Sequence, residues 1–186
     1  MKRELDHLVV AARTLEEGAA WVEAALGVKT LRGGKHPLMG THNRVLSIGR
    51  GRYLEVIAID PDAVPPGRAR WFGLDDPAIR ARLERGPVLL HWAERTDDLD
   101  AALRDYPERV EVLEATRGDL AWRITVPHDG HLPCAGACPT LIQWSGPHPT
   151  ERMPPSGCEL VDLSTKGPLE ATFSTPSGRR TLPPQE

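Results

Sequence analysis

The run Leu5-Asp6-His7-Leu8-Val9-Val10-Ala11, leading through Arg13-Thr14 into Leu15-Glu16-Glu17, decides the fold. It reads as an apolar strand entering a Thr-capped helix. The same phrase returns at Leu89-Leu90-His91-Trp92-Ala93, leading through Arg95-Thr96, with Thr96 standing 82 residues after Thr14. Thr14 with Glu17 three residues on has the form of a capping box, Leu15, Val22 and Leu26 make one helical stripe, and Gly27 suits the stop. The first helix is expected from about Leu15 to Leu26; the second is shorter, ending near Asp105 ahead of Pro107. A strand-helix phrase repeated in one chain implies one fold built from two copies.

Three extended segments follow each helix: about Thr30 to His36, His42 to Ile48 and Tyr53 to Ile59 in the first copy, then Val110 to Ala115, Leu120 to Val126 and Thr140 to Trp144 in the second. The fold class is therefore α+β, two βαβββ modules over about 4–60 and 86–146 with a proline-rich connection over 61–85. Arg80, Arg82 and Arg85 in that connection read as a solvated face. A two-residue turn at Arg50-Gly51 would set Leu46 opposite Glu55 and His42 opposite Ile59. After Ser145 prolines crowd again, and residues 151–186 read as a β-rich extension packed on the second module, with Cys158 to Ser164 and Leu169 to Thr175 extended and the last few residues frayed.

Further marks accompany this order: Gly33-Gly34-Lys35-His36, Met39-Gly40-Thr41-His42-Asn43, Tyr53 through Asp60-Pro61, Arg70-Trp71-Phe72-Gly73-Leu74 and Leu141-Ile142-Gln143-Trp144. Together, over roughly residues 5 to 150, they resemble the glyoxalase-like domain family of the vicinal oxygen chelate superfamily, which includes glyoxalase I and the extradiol dioxygenases. The resemblance implies a domain over 1–150 in which the modules pair into one cupped mixed sheet with helices on the outer face. It also implies a metal held in the cup by residues of the first and last strand of each module.

On this sequence the implied ligands are His7, Glu55 and Gln143, with Glu55 also the catalytic group. Aligning the strands places Leu89, seven residues before Thr96, where the fourth ligand belongs. His91 lies two residues on, about 6 to 7 Å along the strand. It is either drawn in by a bulge or contacts the substrate. Two imidazoles, a carboxylate and an amide suit Zn, Ni, Mn or Fe and leave positions for a substrate with adjacent oxygens. His36, His42, Asn43 and His91 are the candidate substrate-binding residues, His42 at the rim because its register sets it about 13 Å from Glu55. For His42 and Asn43 turn chemistry is an equal reading. Trp92 and Trp144 alternate with His91 and Gln143, which puts them on the helix-covered face, and Trp71 either lids the cup or packs on the first module.

Two functions follow: a divalent-metal-dependent lyase, isomerase or dioxygenase acting on a small oxygenated molecule, or a non-catalytic protein that binds or sequesters one. A chain of 186 residues with 40% apolar content can bury a sizeable core. A net charge of -3 with scattered basic residues points away from nucleic acid. No apolar run nears the ~20 residues of a membrane helix and no secretory segment opens the chain, so a cytoplasmic protein is expected, as monomer or homodimer. There is no Gly-rich phosphate loop, hence no nucleotide cofactor. His128, His131, Cys134 and Cys138 make a rival local zinc set, set against reduced, inert thiols.

Overall fold

The computed structural model describes residues 2–182; the expected fraying of the last few residues falls outside them. The first half contains β1 (Arg3–Ala11), α1 (Leu15–Leu26), β2 (Leu31–His36), β3 (Thr41–Ser47) and β4 (Tyr53–Ile59). The connection carries a short helix α2 (Pro77–Leu83), and the second half contains β5 (Val88–Thr96), α3 (Leu99–Leu103), β6 (Glu111–Arg117), β7 (Leu120–Val126) and β8 (Thr140–Ser145). These eight strands form one curled mixed sheet in the order β2-β3-β4-β1-β5-β8-β7-β6. β1 runs parallel to β4 and β5 parallel to β8, while β1 and β5 pair antiparallel and join the halves. This is the expected pair of βαβββ modules.

The seam is interrupted twice. Register shifts fall between Leu5 and His7 and between Val9 and Val10. A bulge inserts one extra residue and turns neighbouring side chains to the same face. Asp6 and His7 consequently both point into the cup, although alternation had set them apart. Across the second shift Leu89 joins the outer core while Leu90 joins the inner one, next to His91.

The β3-β4 hairpin also departs from expectation. Its loop has three residues, Gly49-Arg50-Gly51, all at positive φ (76°, 50° and 66°), closed by the Ile48 N–H donating to the Arg52 carbonyl at 3.0 Å. One more loop residue than the expected turn slips the pairing by one, and a one-residue slip exchanges the faces. Val45 now faces Glu55, Asn43 faces Ile57 and His42 faces Ala58.

Outside the cup, α1 and a separate three-stranded sheet share one apolar core. That sheet comprises β9 (Glu159–Ser164), β10 (Glu170–Thr175) and β11 (Gly178–Leu182), in the order β11-β10-β9. Phe173, Ala171, Leu182 and Leu160 pack with Leu8, Val22, Leu26 and Leu54 of the first half and with Leu89 and Trp92 of β5. The extension therefore sits mainly on the first module rather than the second, because α1 offers it an apolar flank and the five-residue α3 does not. Cys134 and Cys138 are disulfide-bonded, with Cα atoms 5.4 Å apart, which corrects the reading of reduced thiols. Left-handed backbone at Cys134 and Ala135 (φ 51° and 55°) curls the loop enough for them to meet. Among the described residues no helix is long and apolar enough to cross a membrane.

Phe173 is fully buried. Truncation to alanine is expected to destabilise the whole protein by about 3 to 5 kcal/mol, in one cooperative denaturation transition. A separate low-stability transition, leaving the main one in place, would mean that the extension is a mere appendage.

Candidate functional site

Three strands build the floor of the cup. Glu55 stands on β4, between Asn43 on β3 and His7 on β1, and all three are buried. The hairpin register turns Asn43 inward, and its side-chain N–H donates to Glu55 Oε1 at 2.6 Å. Glu55 Oε2 lies 3.8 Å from His7 Nε2. The bulge in β1 brings Asp6 alongside, and His7 Nδ1–H donates to Asp6 Oδ1 at 2.6 Å. Tyr53 stacks on His7 with centroids 4.7 Å apart. Burial works against charge on His7, but the hydrogen bond and charge of Asp6, joined by the charge of Glu55, outweigh it and raise its pKa. Burial likewise disfavours charge on Asp6, yet hydrogen bonds from His148 and His7 hold its carboxyl well below the usual range.

His36 and Arg117 extend this network toward the second half. Arg117 Nη1 donates to His36 Nε2 at 2.8 Å, so His36 carries its proton on Nδ1, which lies 3.1 Å from Thr41 Oγ1. Burial pushes the His36 pKa down to about 4 and keeps the ring neutral. Two glycines make room. A Cβ on Gly33 would lie 2.0 Å from Asn43 Oδ1, and one on Gly34 would lie 2.5 Å from Arg117 Cδ. Arg117, at the end of edge strand β6, thus reaches the opposite edge of the curled sheet. Sequence reasoning missed it; the available signal was the Gly33-Gly34 pair inside a strand, which marks a close approach.

The second half is arranged otherwise than its sequence suggested. α3 is capped by Asp98, whose side chain accepts the Ala101 N–H at 2.9 Å, so the cap lies two residues beyond Thr96. Counted from the true caps, His91 precedes Asp98 by the seven residues that separate His7 from Thr14, and His91 is the counterpart of His7. Glu55 follows the β4 partner of His7 by two residues, and the same step on β8 gives Thr140. Thr140 donates its backbone N–H to His91 Nε2 at 3.2 Å, and its hydroxyl lies 3.1 Å from the same atom. Burial, with the nearby charge of His7, lowers the His91 pKa to about 3.

Two site expectations are corrected by these registers. Gln143 does not meet His7 and Glu55: it faces α3, accepting the Leu99 N–H at 3.3 Å and donating to the Asp97 carbonyl at 2.9 Å. Trp144, its neighbour on β8, takes the cup face instead and donates Nε1–H to Asp6 at 3.0 Å. His42 lies on the outer face opposite Ala58, its Nδ1 4.0 Å from Asp60, because the three-residue loop reversed it. It lines neither the floor nor the rim. The rival zinc set is occupied internally: the cysteines bond each other, His128 pairs with Glu111, and His131 pairs with Asp129 and Glu108.

A divalent site of the expected kind needs three or more convergent donors. Among the described residues lining the Glu55 cavity, His7 Nε2 and Glu55 Oε2, 3.8 Å apart, are the pair that could share an ion, while His91, whose Nδ1 is buried without a partner, is not part of that lining. Glu55 Oε1 is engaged by Asn43, His91 Nε2 by the Thr140 N–H, and Gln143 faces away. Among the described residues no three His, Cys, Asp or Glu side chains converge in a metal-holding group. The side chains present therefore do not fit the implied divalent ion.

What the cluster does line is a narrow cavity of about 30 Å³, room for one or two waters. His7, Glu55, Asn43, His36 and Arg117 line it on one side, and Trp71, Phe72, Trp122 and Trp144 supply aromatic walls. Trp71 packs inward, edge-on to His36 at 5.2 Å. Phe72 holds a left-handed φ of 58° that costs backbone energy. Beyond Trp144 lies an open pocket of about 420 Å³ that also touches His148, whose Nε2 is 2.9 Å from Asp6.

A two-module cupped sheet with an acid-imidazole floor defines a protein of the vicinal oxygen chelate type. The glyoxalase-like domain model matches residues 5–175, and the chain belongs to that family. The match continues past the eight-stranded sheet through β9 and β10. No curated protein matches the chain. Among solved structures, a protein of Staphylococcus aureus described as hypothetical is similar at 14% identity and TM-score 0.57, over 100% of this chain and 87% of that one. A Streptomyces coelicolor methylmalonyl-CoA epimerase, in complex with 2-nitronate-propionyl-CoA, is similar at 22% identity and TM-score 0.51, over 76% and 97%. At these identities the likeness is one of fold.

Two expectations follow. Calorimetric titration with Zn²⁺, Ni²⁺ or Mn²⁺ should reveal no stoichiometric ion at the cup floor; one equivalent abolished by Glu55→Ala would refute the donor analysis. Stability should also fall as pH drops below about 6.5, the ordinary histidine value. His36 and His91 stay neutral in the fold down to about pH 4 and 3, whereas the unfolded chain takes up their protons earlier. His7 acts oppositely, since its raised pKa adds stability that fades as pH rises through its folded value. Denaturant midpoints that stay flat from pH 6.5 to 4.5 would contradict this.

Proposed function

We propose that this protein is an isomerase- or lyase-type enzyme that moves a proton on a small oxygenated molecule, with Glu55 as the acid-base group. The single observation carrying this reading is the placement of Glu55: a buried carboxylate, oriented by Asn43 through one oxygen, presenting the other to His7 in a narrow cavity walled by aromatic side chains. Structural cores seldom keep a carboxylate, an imidazole and a guanidinium around a void. Acid-base chemistry needs a carboxylate fixed within reach of the transferred proton and shielded from water.

The residues have separable roles. Glu55 takes or returns the proton at its Oε2. His7, anchored by Asp6, holds a hydrogen-bonding imidazole opposite and offsets the carboxylate charge. Asn43 fixes the rotamer of Glu55. Trp71, Phe72 and Trp144 narrow the cavity and limit the water that reaches Glu55.

A second reading, a non-catalytic binder of a small molecule, is favoured by Thr140, which stands where the second half would need a carboxylate to match Glu55. The two are separated by incubating the protein in D₂O with a panel of small 2-oxo and 2-hydroxy carbonyl compounds and following carbon-bound hydrogen by NMR. Proton exchange or isomerisation is expected in the wild type and should fall by about 10²-fold or more in Glu55→Gln. Turnover that survives this substitution would remove Glu55 from the chemistry. Binding without exchange across the panel would favour the second reading.

A further inference from the structure

The cavity is lined by a buried hydrogen-bond donor that its own walls do not satisfy. Trp71 is 4% exposed and lines the void, yet its indole Nε1 has no hydrogen-bond partner. A buried N–H left unpaired costs about 1 to 3 kcal/mol, so such a group commonly marks a place where something else accepts the bond. Arg117 lines the same void. Its Nη1 bonds to the neutral ring of His36 and lies 3.5 Å from Asn43 Oδ1. Among the described residues no carboxylate comes within ion-pair distance of its guanidinium, whereas Arg13, Arg68, Arg70, Arg95, Arg123 and Arg152 each have one.

The glycine pair strengthens the case that this placement is built. Gly34 admits the Arg117 stem across the sheet edge, and Gly33 admits Asn43. The negative charge of Glu55 is met by the Asn43 amide and faced by His7, so Arg117 is the cation left to answer an incoming anion. A planar guanidinium presents paired N–H groups that match the two oxygens of a carboxylate. The available volume, about 30 Å³, suits a small head group such as a carboxylate.

We propose that the cavity is a carboxylate subsite, in which the head group of a small carboxylic acid is held between the Arg117 guanidinium and the Trp71 indole N–H, beside Glu55. This deepens the proton-transfer reading and rests on it for the role of Glu55, narrowing the substrate class from oxygenated molecules to small carboxylates. The acid carbon chain then extends toward Glu55 and the Trp144 wall, past which the open pocket accommodates any larger substituent.

Formate is the probe that matches the head group alone. Isothermal titration with sodium formate at constant ionic strength, with sodium chloride as the matched control, is expected to show saturable one-to-one binding. Arg117→Gln should weaken it tenfold or more, and Trp71→Phe, which keeps the ring and removes the N–H, about fivefold. Arg117→Lys, with charge but no fork, should fall between wild type and Arg117→Gln. Should Arg117→Gln not fold, Trp71→Phe and Arg117→Lys carry the test. Heats for formate indistinguishable from chloride in the wild type, or formate binding equal in all variants, would show that the cavity holds only water and overturn the proposal. Glu55→Gln separates the two claims: it should retain formate binding while losing exchange. Glu55-dependent exchange in a wild type that ignores formate would sink the subsite and leave the proton-transfer reading standing.

Discussion

The antiparallel seam between β1 and β5, with its two bulges, is the constraint on which the rest of the molecule depends. A regular ladder would alternate side chains strictly, sending Asp6 to the outer core and separating it from His7. The shift at Leu5/His7 delivers both to the cup floor, where Asp6 can hold the His7 ring while receiving Trp144 and His148 from the other half. One inserted residue thus supplies the cluster with its anchor. The same seam carries His91 opposite Val9, so both halves contribute an imidazole to a single interior.

From that joint the electrostatics follow. An isolated buried carboxylate would be driven to neutralise. Here the acids and bases alternate along one path: Asp6, His7 and Glu55, with Asn43, His36 and Arg117 continuing to the far sheet edge. The neutral rings are as necessary as the charged ones. His36 accepts from Arg117 only because burial keeps Nε2 unprotonated, and His91 is occupied by Thr140 in the same way. The two modules have therefore diverged in chemistry while sharing a backbone plan, with a carboxylate retained at Glu55 and a hydroxyl at Thr140.

The outer layer resolves a mismatch in helix length. α1 has twelve residues and α3 five, so the sheet is unevenly covered. β9, β10 and β11 fill the flank of α1 with Phe173, Leu160 and Leu182. Inside, the Trp71-Phe72 turn does the corresponding work, plugging the cup while its backbone is tied to the next loop by the Gly73 N–H bond to Gly130 at 2.7 Å.

Much of this was legible along the chain. The strand-helix repeat, the Thr14 cap and the order of strands depend on local periodicity and short-range hydrogen bonds, which adjacent residues determine. His7 and Glu55 could be picked out through the family resemblance, which implies ligands on the first and last strand of a module, and His36 and Asn43 stand within the stretches that carry that resemblance. What the chain could not announce was register. Whether the β3-β4 loop held two or three residues decided whether His42 or Asn43 met Glu55, and whether Thr96 or Asp98 capped α3 decided whether Leu89 or His91 matched His7. Each is a one- or two-residue choice with little local cost, settled by packing across strands. Gln143 and Trp144 exchanged faces through the same kind of alignment. Arg117 lies 81 positions from the His36 it touches, and only the closing curl of the sheet brings its edges together. The sequence by itself determined the elements and the kinds of side chain available; the tertiary structure decided which of them share a face, because side-chain direction in a sheet reverses with every residue of slip.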